Sequence, residues 1–167
     1  MNKKLITLIV LAAITAGFLC WWFSTPKVLE RRSSDLIECI QLEPDTSRVQ
    51  RAFKSENLRD LIADNITVIY PQMKNTFQHS RATSEPVTLS QNVAKSALLY
   101  LTESAEYINV KDQQVDVTDY SDDSAKVNVK FDIAAKLKGK TEQSASLDGV
   151  FYFEKIEGKW LVTEVTF

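Results

Sequence analysis

The chemistry open to this chain starts with its one histidine, His79, in the polar stretch Thr76-Phe77-Gln78-His79-Ser80-Arg81. A single imidazole excludes a histidine-based metal centre by number. His79 can act as an acid or base only from the rim of a pocket, and a solvated loop position is its plainer role. The two cysteines lie in unlike surroundings, Cys20 in an apolar run and Cys39 in a helical pattern. A structural disulfide between them is not expected, and Cys39 reads as a small, half-buried apolar residue, with an intermolecular bridge as the alternative. Tyr70 and Tyr100 offer phenols that can line a cavity or serve packing with a bonded hydroxyl.

Acid–base catalysis also needs an inward carboxylate. Along 125–137, Ala125, Val127, Val129, Phe131, Ile133, Ala135 and Leu137 alternate with Lys126, Asn128, Lys130, Asp132, Ala134 and Lys136. Period-two alternation describes a strand with one buried and one wet face, so Asp132 and Lys130 point away from the core. On 145–153 the residues Leu147, Gly149, Phe151 and Phe153 share one face, and Asp148, Val150, Tyr152 and Glu154 the other. No catalytic residue, metal site or cofactor is assigned.

The elements that must position these groups follow from pattern. Val28, Leu29, Leu36, Ile37 and Ile40 recur at helical spacing, and Glu43-Pro44-Asp45 ends that helix. Asp45, Thr46 or Ser47 caps a short helix with Val49, Ala52 and Phe53, and helix resumes over Glu56 to Ala63. Asn65 to Tyr70 is a β-branched strand closed by Pro71, and 71–89 is irregular with a short strand or edge loop. Ser90 caps a helix from Gln91 to Ser104 that buries Val93, Ala94, Ala97, Leu98 and Leu101. Tyr107 to Tyr120 is one long strand, bulged near Asp112-Gln113. Turns at 121–124, 138–140 and 157–158 then separate three further strands. Helices early and a meander late predict an α+β fold, with helices packed on a curved antiparallel sheet.

The N-terminus is different. Leu5 to Phe23 is 19 residues without a charge, near the roughly 20 that span a hydrocarbon core. That length favours an uncleaved transmembrane anchor over a cleaved signal peptide or a buried soluble helix. Trp21, Trp22 and Phe23 fit an interfacial aromatic belt, and Pro26 stops the helix continuing outward. Lys3 and Lys4 favour a cytoplasmic N-terminus, opposed by Lys27, Arg31 and Arg32 on the far flank. The predicted organisation is a cytoplasmic 1–4, an anchor at 5–23, a tether and first-helix start at 24–32, and a folded domain at 33–167. The expected location is the inner membrane of a bacterium, with the domain on the periplasmic side. Net charge is −2 overall. No basic patch for nucleic acid appears.

Three pieces resemble the nuclear-transport-factor-2-like (SnoaL-like, cystatin-like) superfamily. Asn57-Leu58-Arg59-Asp60-Leu61-Ile62-Ala63-Asp64-Asn65-Ile66-Thr67-Val68 is similar to its helix-into-first-strand segment. Phe151-Tyr152-Phe153-Glu154-Lys155-Ile156-Glu157-Gly158-Lys159-Trp160-Leu161-Val162 is similar to its terminal hairpin. The helix at 91–104 followed by long strands matches the order between them. The resemblance covers 33–167 and implies a cone around a pocket, with Tyr70, Tyr100, Phe131, Phe151 and Trp160 as lining candidates and His79 at the rim. The fold hosts isomerases, dehydratases, transport adaptors and secretion-component domains, so it does not assign an activity. The leading expectation is a non-enzymatic, membrane-tethered module with an envelope protein partner. A small apolar-ligand binder and an isomerase- or dehydratase-like enzyme are the alternatives. The oligomeric state is left open. A cone filled by Phe131, Phe151 and Trp160 speaks against both alternatives.

Overall fold

The computed structural model describes residues 3–69 and 86–167, with side chains from Leu11 onward. Helix α1 spans Lys3–Trp22 and α2 spans Thr25–Ile40. Only Phe23 and Ser24 separate them. α1 stops before Pro26, which sits in the first turn of α2, where its missing N–H costs nothing and its fixed φ suits a helix. α2 ends at Ile40, short of the predicted stop. Its buried face is Leu29, Ser33, Ile37 and Cys39, so the stretch expected as tether already reaches the core at Leu29. Ser33 Oγ is the buried side-chain oxygen without a partner among the described residues.

Helix α3, Arg48–Asn57, opens with a reciprocal capping box. Ser47 Oγ accepts from Gln50 N–H at 3.3 Å, and Gln50 Oε1 accepts from Ser47 N–H at 2.9 Å, satisfying two otherwise orphan donors. The expected second helix over 56–63 is instead a tight 3-10 turn, Leu58–Asp60, running into β1, Ile62–Ile69. The long-range partner decides this: Ile62 pairs in parallel with Val162, overriding local helical spacing. After β2, Val87–Ser90, helix α4 occupies Gln91–Ser104, capped by Ser90 Oγ accepting from Val93 N–H at 3.4 Å.

The remainder is β3 (Ala105–Tyr120), β4 (Ser124–Leu137), β5 (Gln143–Ile156) and β6 (Lys159–Thr166). One six-stranded, curved sheet has the order β2-β1-β6-β5-β4-β3, antiparallel except for the β1–β6 pair. The predicted bulge is present: the β3–β4 register shifts between Lys111 and Gln114, and Asp112 has φ 51°. The β5–β6 turn places Glu157 at φ 50° and Gly158 at φ 80°, the doubly left-handed form that matches strand twist. Leu42 exchanges backbone bonds with Ile108 at 2.7 and 2.9 Å, tying the α2–α3 connection to β3 around a small cluster of Leu42, Ala105 and Ile108.

The main core lies between the helices and the inward sheet face. Val127, Val129, Phe131, Phe151, Phe153, Trp160 and Val162 meet Leu29, Ile37, Leu58, Ile66 and Leu98 there. The opposite sheet face carries the expected Lys126, Asn128, Lys130 and Asp132, each half-buried or exposed. Among the described residues, no helix is long and apolar enough to cross a membrane. The expected anchor, Leu5 to Phe23, lies partly outside that description, because side chains before Leu11 are not described.

Candidate interaction surface

Helix α3 directs its apolar residues outward. Val49 and Phe53 are each 65% exposed, and Ser55 is the buried residue of the helix, its hydroxyl donating to Ala52 O at 2.8 Å. Val49, Ala52 and Phe53 share an open groove of about 580 Å³ with Arg48, Glu56, Leu99 and Glu103. α4 adds a second exposed apolar stripe, Val93, Ala97, Tyr100 and Leu101. Only Leu98 and Thr102 of α4 are fully buried. The predicted inward set Val93, Ala94, Ala97, Leu98 and Leu101 is therefore corrected: Val93, Ala97 and Leu101 face out, and Ala94 is half-buried.

Arg51 fixes the two helices together. Its Nε donates to Thr46 O at 3.1 Å, and Nη1 donates to Thr102 O and, at 3.2 Å, to Ala105 O. A guanidinium thereby meets carbonyls at the C-terminal end of α4, where the helix dipole is negative. Charged residues border the groove. Arg48 pairs with Glu103 at 3.5 Å, and Glu56 pairs with Lys95 and, at 3.8 Å, with Arg59. The hydrogen bond from Lys95, then its charge, holds the Glu56 carboxyl below the usual range, with Arg59 adding to the effect. The surface is apolar in the middle and mixed in sign at the edge, the composition of many protein contacts.

The pocket candidates are scattered. Phe131, Phe151 and Trp160 are 2, 3 and 6% exposed, packed within the core. Tyr100 is 75% exposed and stands on the outer side of α4, away from the interior. Tyr70 and His79 lie outside the described residues. A polar depression of about 340 Å³ between α2 and α3 is lined by Arg32, Asp35, Glu38, Cys39, Lys54, Asn57, Asp60 and Leu61. Its thiol is poorly suited to nucleophilic chemistry, because burial pushes Cys39 up to about 11. Among the described residues, no three His, Cys, Asp or Glu side chains gather as a metal site. Sequence reasoning missed the α3 groove and Arg51. Periodicity locates an apolar stripe on a helix but not whether a neighbour covers it.

No family model matches the chain, and no curated protein matches it. Solved structures do. A conserved protein from Planctomyces limnophilus superposes with a TM-score of 0.59 at 10% identity, over 84% of this chain and 91% of its own. A ketosteroid isomerase-like protein from Erwinia carotovora atroseptica gives 0.59 at 13% identity, over 86% and 95%. An NTF2-like protein from Cytophaga hutchinsonii gives 0.52 at 14% identity, over 99% and 97%. The fold is NTF2-like. At these identities the likeness concerns architecture alone.

Proposed function

We propose that the chain is a membrane-tethered NTF2-like module of the bacterial envelope that binds a protein partner through the α3–α4 face. The carrying observation is the exposed apolar groove of Val49, Ala52, Phe53 and Leu99 inside a ring of paired charges. Large apolar side chains grouped on a surface mark contact sites, whereas a packed interior leaves a small ligand little room. The filling of the inward side by Phe131, Phe151 and Trp160 favours a surface role over the isomerase-like and ligand-binding alternatives. Support for the tether comes from the charge-free run Leu5 to Phe23, and from the exposure of Leu11, Ile14, Phe18, Leu19, Trp21, Trp22 and Phe23. Such a row of apolar side chains finds its favourable surroundings in lipid. The domain then stands on the extracytoplasmic side.

The test uses the full chain in its own membranes, with a photo-crosslinking residue at Phe53 or at Asn128 on the wet sheet face. A discrete adduct from position 53 and none from 128 is expected. No adduct from 53, or equal labelling at both, overturns the partner-binding role. Protease added from the extracytoplasmic side alone should remove the domain, and protection there overturns the topology.

A further inference from the structure

The short corner between α1 and α2 gathers aromatic rings and cations. Phe18, Trp21 and Trp22 form a ring cluster, with Phe18 stacked on Trp22 at 5.7 Å between centroids. Arg31 lies over the Trp22 ring at 4.4 Å and Lys27 over the Trp21 ring at 5.3 Å. Arg31 Nε donates to Lys27 O at 3.1 Å and Nη2 donates to Trp22 O at 2.7 Å. These bonds set the guanidinium plane and take two of its five N–H donors. Among the described residues Arg31 joins no ion pair, whereas Lys27 pairs with Glu30 at 2.5 Å.

We propose that this corner is a seat for the headgroup of anionic phospholipid, whose phosphate charge no headgroup cation offsets, with Arg31 as its main ligand and Lys27 beside it. The proposal rests on the membrane tether proposed above. Tryptophan rings settle at headgroup depth, so Trp21 and Trp22 bring Arg31 to the level of the lipid phosphates. The remaining N–H groups of a planar, oriented guanidinium match phosphate oxygens. Its stacking on Trp22 keeps the fork in place before any lipid arrives. Charge adds to geometry. Residues 24–32 hold Lys27, Arg31 and Arg32 against Glu30, while the Leu5 to Phe23 run beneath carries none. Arg32 is engaged elsewhere, its Nη1 donating to Asp60 O at 2.5 Å. The seat also bears on the stance of the domain. Arg31 lies on α2 between the fully buried Leu29 and Ser33, so a lipid held at the corner is held against a rigid part of the fold.

The experiment reconstitutes the full chain into phosphatidylcholine vesicles containing spin-labelled phosphatidylglycerol or spin-labelled phosphatidylcholine. Lipid selectivity is read from the motionally restricted fraction. The expected result is selectivity for phosphatidylglycerol, falling roughly fivefold for each cation removed in Arg31→Gln and Lys27→Gln. Lys130→Gln, on the distant sheet face, should leave it unchanged. Equal affinity for the two lipids, or selectivity that survives the double substitution, overturns the seat. Displacement of the lipid by inorganic phosphate overturns the assignment to lipid. A chain that fails to float with vesicles of either composition removes the tether itself, whereas a floating chain without selectivity removes only the seat.

Discussion

Arg51→Met should destabilise the protein more than any surface charge change. The substitution keeps the aliphatic stem and removes the guanidinium that donates to Thr46 O, Thr102 O and Ala105 O. Hydrogen bonds from a charged donor contribute roughly 1.5–3 kcal/mol each, and an orphaned buried acceptor costs about 1–3 kcal/mol. Ala105 is fully buried, so water does not readily replace Arg51 there. Thr46, half-buried on the α2–α3 connection, is closer to water. Partial desolvation of the guanidinium in the native protein offsets part of the sum. The net loss is about 3 kcal/mol, or roughly 9 °C in Tm at ~3 °C per kcal/mol for a chain of this size. The assay is thermal unfolding of the full chain in mild detergent, followed by far-ultraviolet circular dichroism. Arg51→Lys, a point charge unable to span three carbonyls, should lose about half as much. Arg48→Met is the comparison: its side chain is 88% exposed and its pair with Glu103 is 3.5 Å long, worth under about 1 kcal/mol. If Arg51→Met costs no more than Arg48→Met, Arg51 is not what joins α3 to α4. High salt should weaken the Arg48 effect and leave the Arg51 effect nearly intact, because the acceptors of Arg51 are carbonyls.

Two further outcomes follow from close packing and from burial. A Cβ on Gly149 meets Thr166 O at 2.8 Å and the Phe167 ring at 2.9 Å, so Gly149→Ala must push the end of β6 and strain the Phe167 N–H bond to Ile69 O at 3.1 Å. Overpacking by about 2 kcal/mol should exceed the ~0.5–1 kcal/mol gained through the unfolded chain; an unchanged or raised Tm refutes it. For Cys39, burial raises the thiol from 9.0 to about 11. The folded state then holds its proton while the unfolded chain loses it, so stability is complete below pH 9.0 and falls as pH rises toward 11. Urea titrations across that window should show a shallower alkaline decline for Cys39→Ala, and an identical decline refutes it.

Much of the sheet was legible because its signals are local. The alternation from Ala125 to Leu137 depends only on residues two apart, and β4 covers Ser124–Leu137. Glu157-Gly158 marks its hairpin through the φ values that the turn demands, and Ser90 marks the start of α4 through one side-chain bond. Errors arose where a distant partner decides. β1 begins at Ile62 because β6 lies alongside it. α4 buries Leu98 but not Val93 or Leu101 because the curved sheet and α3 leave its outer side open. The candidate surface was hidden for the same reason, since its residues are ordinary helix residues until the fold decides which side is covered.

The helical layer explains how those apolar side chains come to be spare. Helices usually adhere by burying apolar stripes against each other. Here polar side chains reach across to backbone oxygens instead. Arg32 donates to Asp60 O, Lys54 to Glu38 O at 3.0 Å, and Gln91 to Arg59 O at 2.9 Å and Ile62 O at 3.1 Å. Arg51 joins α3 to the end of α4, and Arg31 ties α2 back to the last turn of α1. Several of these acceptors sit at or near helix ends, where carbonyls lack intrahelical partners and a cation is favoured. Joining helices through their ends leaves their flanks free. Val49, Phe53, Val93 and Leu101 are thus exposed because other groups hold α3 and α4 in place. A partner that covers them adds apolar burial to a layer already fixed in geometry, with little ordering left to offset on binding.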